Sequence, residues 1–217
     1  MASPALCPGT GAHQLLFVDD DDAVRALTPA ILTSQGYDVR CAADGLEALQ
    51  LMKERLPELV ISDLRMPRMS GFEFLSIVRR KHPQLPLIAI SGEFISGTEV
   101  MGIADVFFSK GGYSPKQLCE TVADLLAHPP EHHSLEFPPV WVPVGPSGEV
   151  VLTCTDCLRS FPVRVCPPEL GNPVRETDCL VCGTHLRYCI DNTGLKVGQL
   201  SWETCGLVQI ASDIKAS

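Results

Sequence analysis

Long apolar runs are missing from these 217 residues, and with them any segment near the roughly 18 residues a membrane span needs. The N-terminal stretch MASPALCPGTGAHQ has neither a basic n-region nor an apolar h-region, so no signal peptide is read and a cytoplasmic location is expected. Basic side chains are also short: 17 against 26 acidic, a net charge of −9. The deficit is shared, with 11 basic and 16 acidic groups in residues 1–128 and 6 against 10 in residues 129–217. Neither half carries the cationic footprint of a nucleic-acid binder. Cysteine is sparse at first, with Cys7, Cys41 and Cys119 isolated, and then dense, with seven between Cys154 and Cys205. Close pairs without a secretory signal favour metal over disulfides. What is present in ordinary measure is apolar content, 45%, enough for a core.

Residues 1–12 read as a disordered tail, and residues 13–128 alternate strand and helix. Leu15–Val18, Tyr37–Ala42, Leu59–Ser62, Leu85–Ile90 and Val106–Phe108 are the strands; helices fall at Ala23–Ser34, Asp44–Glu54, Gly71–Lys81 and Pro115–Ala127. Pro29 is a blemish in the first helix, Gly36 a natural left-handed cap after it, and Asp44-Gly45 a cap signal for the second. Alternation of this kind implies βαβ crossovers and a five-stranded, doubly wound parallel sheet covered on both faces.

The strand ends carry the chemistry. The first strand stops on Asp19-Asp20, the third on Asp63, the fourth on Ser91 and the fifth on Ser109-Lys110. In a doubly wound sheet these ends share one edge, where such folds place ligands. Three carboxylates together repel and call for a cation; all-oxygen ligands suit Mg²⁺, which keeps waters and bridges to phosphate. A carboxylate nucleophile, a hard cation, a lysine and a hydroxyl are the parts of an aspartyl-phosphate site. Asp21 and Asp22 read as first-turn acids favoured by the helix dipole.

The stretches LLFVDDDDAVR, GYDVRCAADGLEAL, LVISDLRMPRMSGFEFL, LPLIAISG and ADVFFSK resemble the receiver domain of two-component response regulators over roughly residues 13–128. The resemblance implies a flavodoxin-like fold in which Asp63 accepts a phosphoryl group from a sensor histidine kinase or phosphotransfer protein. It implies that Asp20, Asp63 and the backbone carbonyl of Arg65 bind Mg²⁺, with Asp19 acting through water. Ser91 would hydrogen-bond the phosphoryl oxygen, Lys110 would pair with it, and Phe107 would be the switch aromatic. Such a protein is a phosphoacceptor that assists its own phosphotransfer and dephosphorylation, not an enzyme acting on other substrates. Three departures stand out. The Ser91–Lys110 interval is about three residues shorter than in the family, which leaves the helix near Gly97–Gly102 short and a standard dimer on that face in question. Gly111-Gly112 replaces the common Pro after the lysine, so no cis peptide is expected there. Arg65 and Glu93 stand two residues beyond Asp63 and Ser91, and are read as a gate that restricts hydrolytic water at the phosphoryl site.

Residues 129–147 are Pro-rich and read as a semi-rigid spacer, with His128, His132 and His133 solvated and Phe137, Val140, Trp141 and Val142 apolar enough to dock on a domain. Residues 148–210 read as a small β-rich, zinc-ribbon-like domain, followed by a frayed tail at 211–217. Cys154-Thr-Asp-Cys157 and Cys179-Leu-Val-Cys182 have the spacing of a closed tetrahedral zinc site, and a domain this small needs such a staple. Cys166 and Cys189 are open between supplementary ligand and small buried hydrophobe; Cys205 and His185 are unassigned, since four thiolates already close the site. The whole is read as a response regulator with a zinc-ribbon output acting through an unidentified protein partner. A DNA-binding regulator and a thiol or zinc redox sensor coupled to a receiver are the alternatives. No helix-turn-helix, cyclase or phosphodiesterase-like segment is visible.

Overall fold

Three of the N-terminal strands have no polar face, and the computed structural model of the chain puts them in the middle of a sheet. The structure describes residues 12–92, 102–131, 139–144, 150–163 and 174–191. Strands β1 (Gln14–Val18), β3 (Leu59–Asp63) and β4 (Leu87–Ser91) are buried at every position. Strands β2 (Asp38–Ala42) and β5 (Val106–Ser109) are more exposed and form the edges. All pairings are parallel, in the order β2-β1-β3-β4-β5.

Side-chain alternation divides the core into two layers. Leu15, Phe17, Leu59, Ile61, Ile88 and Ile90 pack on helices α1 (Asp22–Ser34) and α4 (Pro115–Ala127), through Leu32, Leu118, Val122 and Leu125. Leu16, Val18, Val60, Leu87 and Ala89 face α2 (Gly45–Glu54) and α3 (Gly71–Lys81) on the other side. Local chemistry starts each helix. Asp21 caps α1 by accepting from Ala23 and Val24 N–H, Asp44 caps α2, Ser70 caps α3, and Ser114 with Gln117 forms a capping box at α4. Pro29 is accommodated within α1, on its buried side.

Among the described residues, the second half holds two small sheets. Strands β7 (Val150–Thr153) and β8 (Ser160–Val163) make an antiparallel hairpin. Strands β6 (Val140–Pro143), β10 (His185–Asp191) and β9 (Arg175–Asp178) form the other, with β6 parallel to β10 and β9 antiparallel to it. Val140, Val142, Leu152, Phe161, Leu186 and Ile190 fill one core between them. The expected spacer therefore ends early. Val140–Pro143 is a strand because Val140 and Val142 have this apolar layer to enter, and β10 supplies the hydrogen-bonding partner.

Helix α3 departs from a surface helix in a further way. Every residue from Gly71 to Arg79 is buried, where an amphipathic helix on a sheet keeps a wet face. Its outer side is covered by the C-terminal half, with Trp141 and Leu158 packed against the same core as Phe72 and Leu75.

Candidate functional site

Each acidic or polar strand end arrives where the strand runs out of neighbours. Asp63 is the last residue of β3, Ser91 the last of β4, Asp19 the first beyond β1 and Lys110 the first beyond β5. The Lys110 N–H donates to the Ser91 carbonyl (2.6 Å), which ties the fifth strand's exit to the fourth. Lys110 Nζ then lies 2.6 Å from Asp63 Oδ2 and 3.0 Å from Asp19 Oδ2. The Asp21 N–H holds Asp19 Oδ1 (2.9 Å), and the Arg65 N–H holds Asp63 Oδ1 (3.2 Å). Asp19 and Asp63 are 1% and 4% exposed, Asp20 is open to solvent, and one carboxylate oxygen from each lies within 4.8 Å of the others.

Burial pushes the Asp63 carboxyl above its ordinary range; the hydrogen bond and charge of Lys110 and the Arg65 N–H only partly offset this, and Asp19 adds to it. For Lys110 burial opposes the charge, but the bonds and charges of Asp63 and Asp19 outweigh it and raise the ammonium's pKa. The cluster is therefore short of positive charge at its open end. Its donor set is all oxygen, which fits a hard divalent cation beside the lysine.

One close approach shapes the floor. A Cβ on Gly71 would lie 1.8 Å from the Asp63 carbonyl oxygen, so only glycine lets α3 begin directly under the end of β3. The Gly71 N–H donates to Leu64 O (3.0 Å) in that contact. Arg68, in the loop between them, has φ +66° and pairs with Asp44, the α2 cap, fixing the loop from the other side.

A second cluster is made of sulfur. The Sγ atoms of Cys154, Cys157, Cys179 and Cys182 lie within 4.8 Å of one another, with Cys154–Cys182 at 3.5 Å and Cys157–Cys179 at 3.7 Å. Four thiolates about 2.3 Å from one tetrahedral ion would be about 3.8 Å apart. The donor chemistry and the spacing both fit zinc. Gly183, at φ +73°, closes the second knuckle.

Of the remaining expected residues, Phe107 lies on β5, 36% exposed. His185 is outside the sulfur cluster, with Nδ1 3.0 Å from Asp178 Oδ1. Cys189 is buried in β10 opposite Trp141. Glu93, His132, His133, Phe137, Cys166, Cys205 and residues 97–101 of the span where a short helix is expected lie outside the described residues, while Gly102 stands in a turn at φ +85°.

Residues 15–107 match the family described as the response regulator receiver domain. They are a receiver domain. The receiver of this chain is similar to part of the sensor kinase CckA of Brucella abortus, 38% identical over 121 residues, which are 54% of this chain and 13% of that protein. It is similar to the response regulator Rre1 of Synechocystis, 35% identical over 119 residues, 52% and 51% of the two chains. The chain spans about half, or less, of the length of the curated relatives described here. Among solved structures, a CheY-like receiver domain protein from Methanospirillum hungatei superposes with TM-score 0.51 at 28% identity, over 54% of this chain and 95% of that one. A response regulator described as putative, from Chloroflexus aurantiacus, gives TM-score 0.51 at 32% identity, over 54% and 99%. No described helix is long and apolar enough to cross a membrane.

The contact between the receiver and the cysteine-bearing half involves residues that sequence reasoning passed over, Glu73 on one side and Thr153 on the other. Glu73 is 3% exposed, and its Oε1 accepts the Thr153 N–H across the boundary (2.9 Å). Burial lifts its carboxyl to about 7, against a partial lowering by the Thr153 hydrogen bonds. Ser70-x-x-Glu73 has the spacing of a capping box, yet the Glu73 carboxylate reaches out of the helix instead. Glu73, Ser76 and Arg80 follow one another at helical spacing as an ordinary wet stripe does, so the sequence of the helix carries no signal that marks Glu73 out.

Proposed function

We propose that the chain is a two-component response regulator, a signalling protein in which Asp63 is the phosphoacceptor and the cysteine-bearing half is the output. The observation that carries this is the Lys110 ammonium bridging two buried carboxylates, Asp63 and Asp19, at the C-terminal edge of the receiver sheet. A phosphohistidine of a sensor histidine kinase, or of a phosphotransfer protein, is the donor. An Asp63 oxygen attacks its phosphorus, the P–N bond breaks, and the electron pair leaves on the imidazole nitrogen, giving an acyl phosphate. Lys110 balances the charge gathered on the phosphoryl oxygens, and the Ser91 hydroxyl, at the end of the adjacent strand, donates to one of them. Asp19, Asp20, Asp63 and the Arg65 carbonyl would hold Mg²⁺, which screens carboxylate from phosphoryl group. Phe107, on the edge strand, is the aromatic free to turn inward as Ser91 is engaged.

In the second half, Cys154, Cys157, Cys179 and Cys182 hold a structural zinc ion that staples two sheets too small to stand alone. The half's acidic balance favours a protein partner over DNA as its target. The test is labelling by a small phosphodonor, acetyl phosphate, with Mg²⁺ present. Wild type should form one acid-stable, base-labile phosphoryl group per chain, and Asp63→Asn none. Equal labelling of the two would end the proposal.

A further inference from the structure

The helix that begins under the phosphoacceptor is the helix the cysteine knuckle rests on. At its N-terminus, Gly71 sits against the Asp63 carbonyl. The Arg65 guanidinium stands 6.0 Å from the centre of the Phe72 ring, and that ring lies 6.0 Å from Trp141 of β6 at 40°. One residue on, Glu73 accepts the N–H of Thr153, the neighbour of Cys154. At the helix's other end, Lys81 Nζ donates to the carbonyl of Asp156 (3.2 Å), inside the Cys154–Cys157 knuckle, and Leu158 just beyond it packs on the receiver core. The helix thus grips the knuckle from both sides.

We infer that this chain takes a second chemical input, a thiolate-binding divalent cation of the zinc class, and that α3 couples its binding at the four cysteines to the state of Asp63. The inference rests on the reading of Asp63 as phosphoacceptor and of the sulfur cluster as a metal site. The ion sets the Cys154–Cys157 turn, and that turn presents both the Thr153 N–H and the Asp156 carbonyl to α3. Losing the ion loosens the turn and leaves the buried Glu73 oxygen short of its donor, which is unfavourable. From the other end, a phosphoryl dianion on Asp63 draws the Arg65 guanidinium toward itself and off the Phe72 face. The Phe72–Trp141 contact then slackens, and the knuckle is held less firmly. A coupling free energy is reciprocal, so zinc must oppose the phosphorylated arrangement to the same degree.

The experiment measures zinc affinity of the full chain by competition with a chromophoric chelator, with and without beryllofluoride and Mg²⁺. Bound beryllofluoride is followed separately by ¹⁹F NMR, and zinc content by metal analysis. The expected result is zinc affinity weakened about fivefold or more by beryllofluoride, the lower end of ordinary allosteric couplings. The double variant Glu73→Ala/Lys81→Ala should reduce the effect to less than about twofold, while Glu73→Gln, which keeps an acceptor oxygen, should preserve it. Wild-type affinity that is unchanged or tightened overturns the coupling while leaving both sites standing. A chain that binds no zinc removes the metal reading and the coupling with it, and one that binds no beryllofluoride does the same for the phosphoacceptor reading.

Discussion

Replacing Glu73 by glutamine should make the protein's stability less sensitive to pH, and the size of the effect follows from the buried carboxyl. In the folded chain its pKa is raised to about 7 from an ordinary 4.5. Between those values the native state holds a proton that the unfolded state has released. The stability contributed by protonated Glu73 is therefore complete below about pH 4.5 and is lost as pH rises through about 7. At 1.36 kcal/mol per pKa unit the loss is about 3 kcal/mol, and the side chain's near-complete burial leaves little solvent to screen it. Glutamine has the same shape, keeps an oxygen for the Thr153 N–H and does not titrate in this range. Urea unfolding of both proteins at fixed free zinc, from pH 5 to 8.5, isolates the group, because all other titrations are common to both. Some of the loss has already occurred by pH 5, so the wild type should lose about 2.5 kcal/mol relative to the variant across this range, with the difference levelling off above pH 8. Parallel stability profiles would show that Glu73 is not held protonated by burial, and would refute the electrostatic reading of the α3 interface.

Lys110→Met removes the cation that offsets burial at Asp63, so the Asp63 carboxyl should titrate at a pH higher still than in wild type, read from its ¹³C carboxyl shift; a lower value would contradict the site's charge balance. Arg79 is 3% exposed, lies 2.9 Å from Asp105 and donates to the carbonyls of Ile103, Pro83 and Leu85, so Arg79→Ala leaves the buried Asp105 carboxylate with the Leu87 N–H but without its cation, and should cost about 3–5 kcal/mol by denaturant unfolding. Gly71→Ala must push α3 off the Asp63 carbonyl, and a loss of about 1–3 kcal/mol in thermal or urea unfolding is expected, with slower acetyl phosphate labelling from the displaced Asp63.

The sheet was legible because its signals are local and redundant. Leu15–Val18 and Leu59–Ile61 are too apolar for an edge, and the acids that stop them mark the edge where the strands end. The strand ends named before the fold was known, Asp19, Asp20, Asp63 and Lys110, are the ones the structure brings together. The cysteine pairs were legible for the same reason: two residues between thiols is a geometric statement. What escaped notice was the contact between the halves. Proline in residues 129–147 signals extension equally well for a free spacer and for a strand, and Val140–Pro143 becomes a strand only because β10, more than 40 residues away, lies beside it. Likewise nothing within Gly71–Lys81 says that a second layer will cover it. An acid at Glu73 is ordinary on a wet helix and becomes informative only when Thr153 is seen above it.

That covered helix bears on how the protein can be taken apart. Receivers invite treatment as cassettes, cut at the end of the last helix and joined to new outputs. A fragment ending near His128 would here unroof Phe72 and place Glu73 in water, where the carboxyl ionises without cost. It would keep the phosphoacceptor edge but present an apolar strip where the intact chain has a seam. Grafts that preserve the chain through β10 retain that seam; cuts before β6 trade it for a surface prone to self-association.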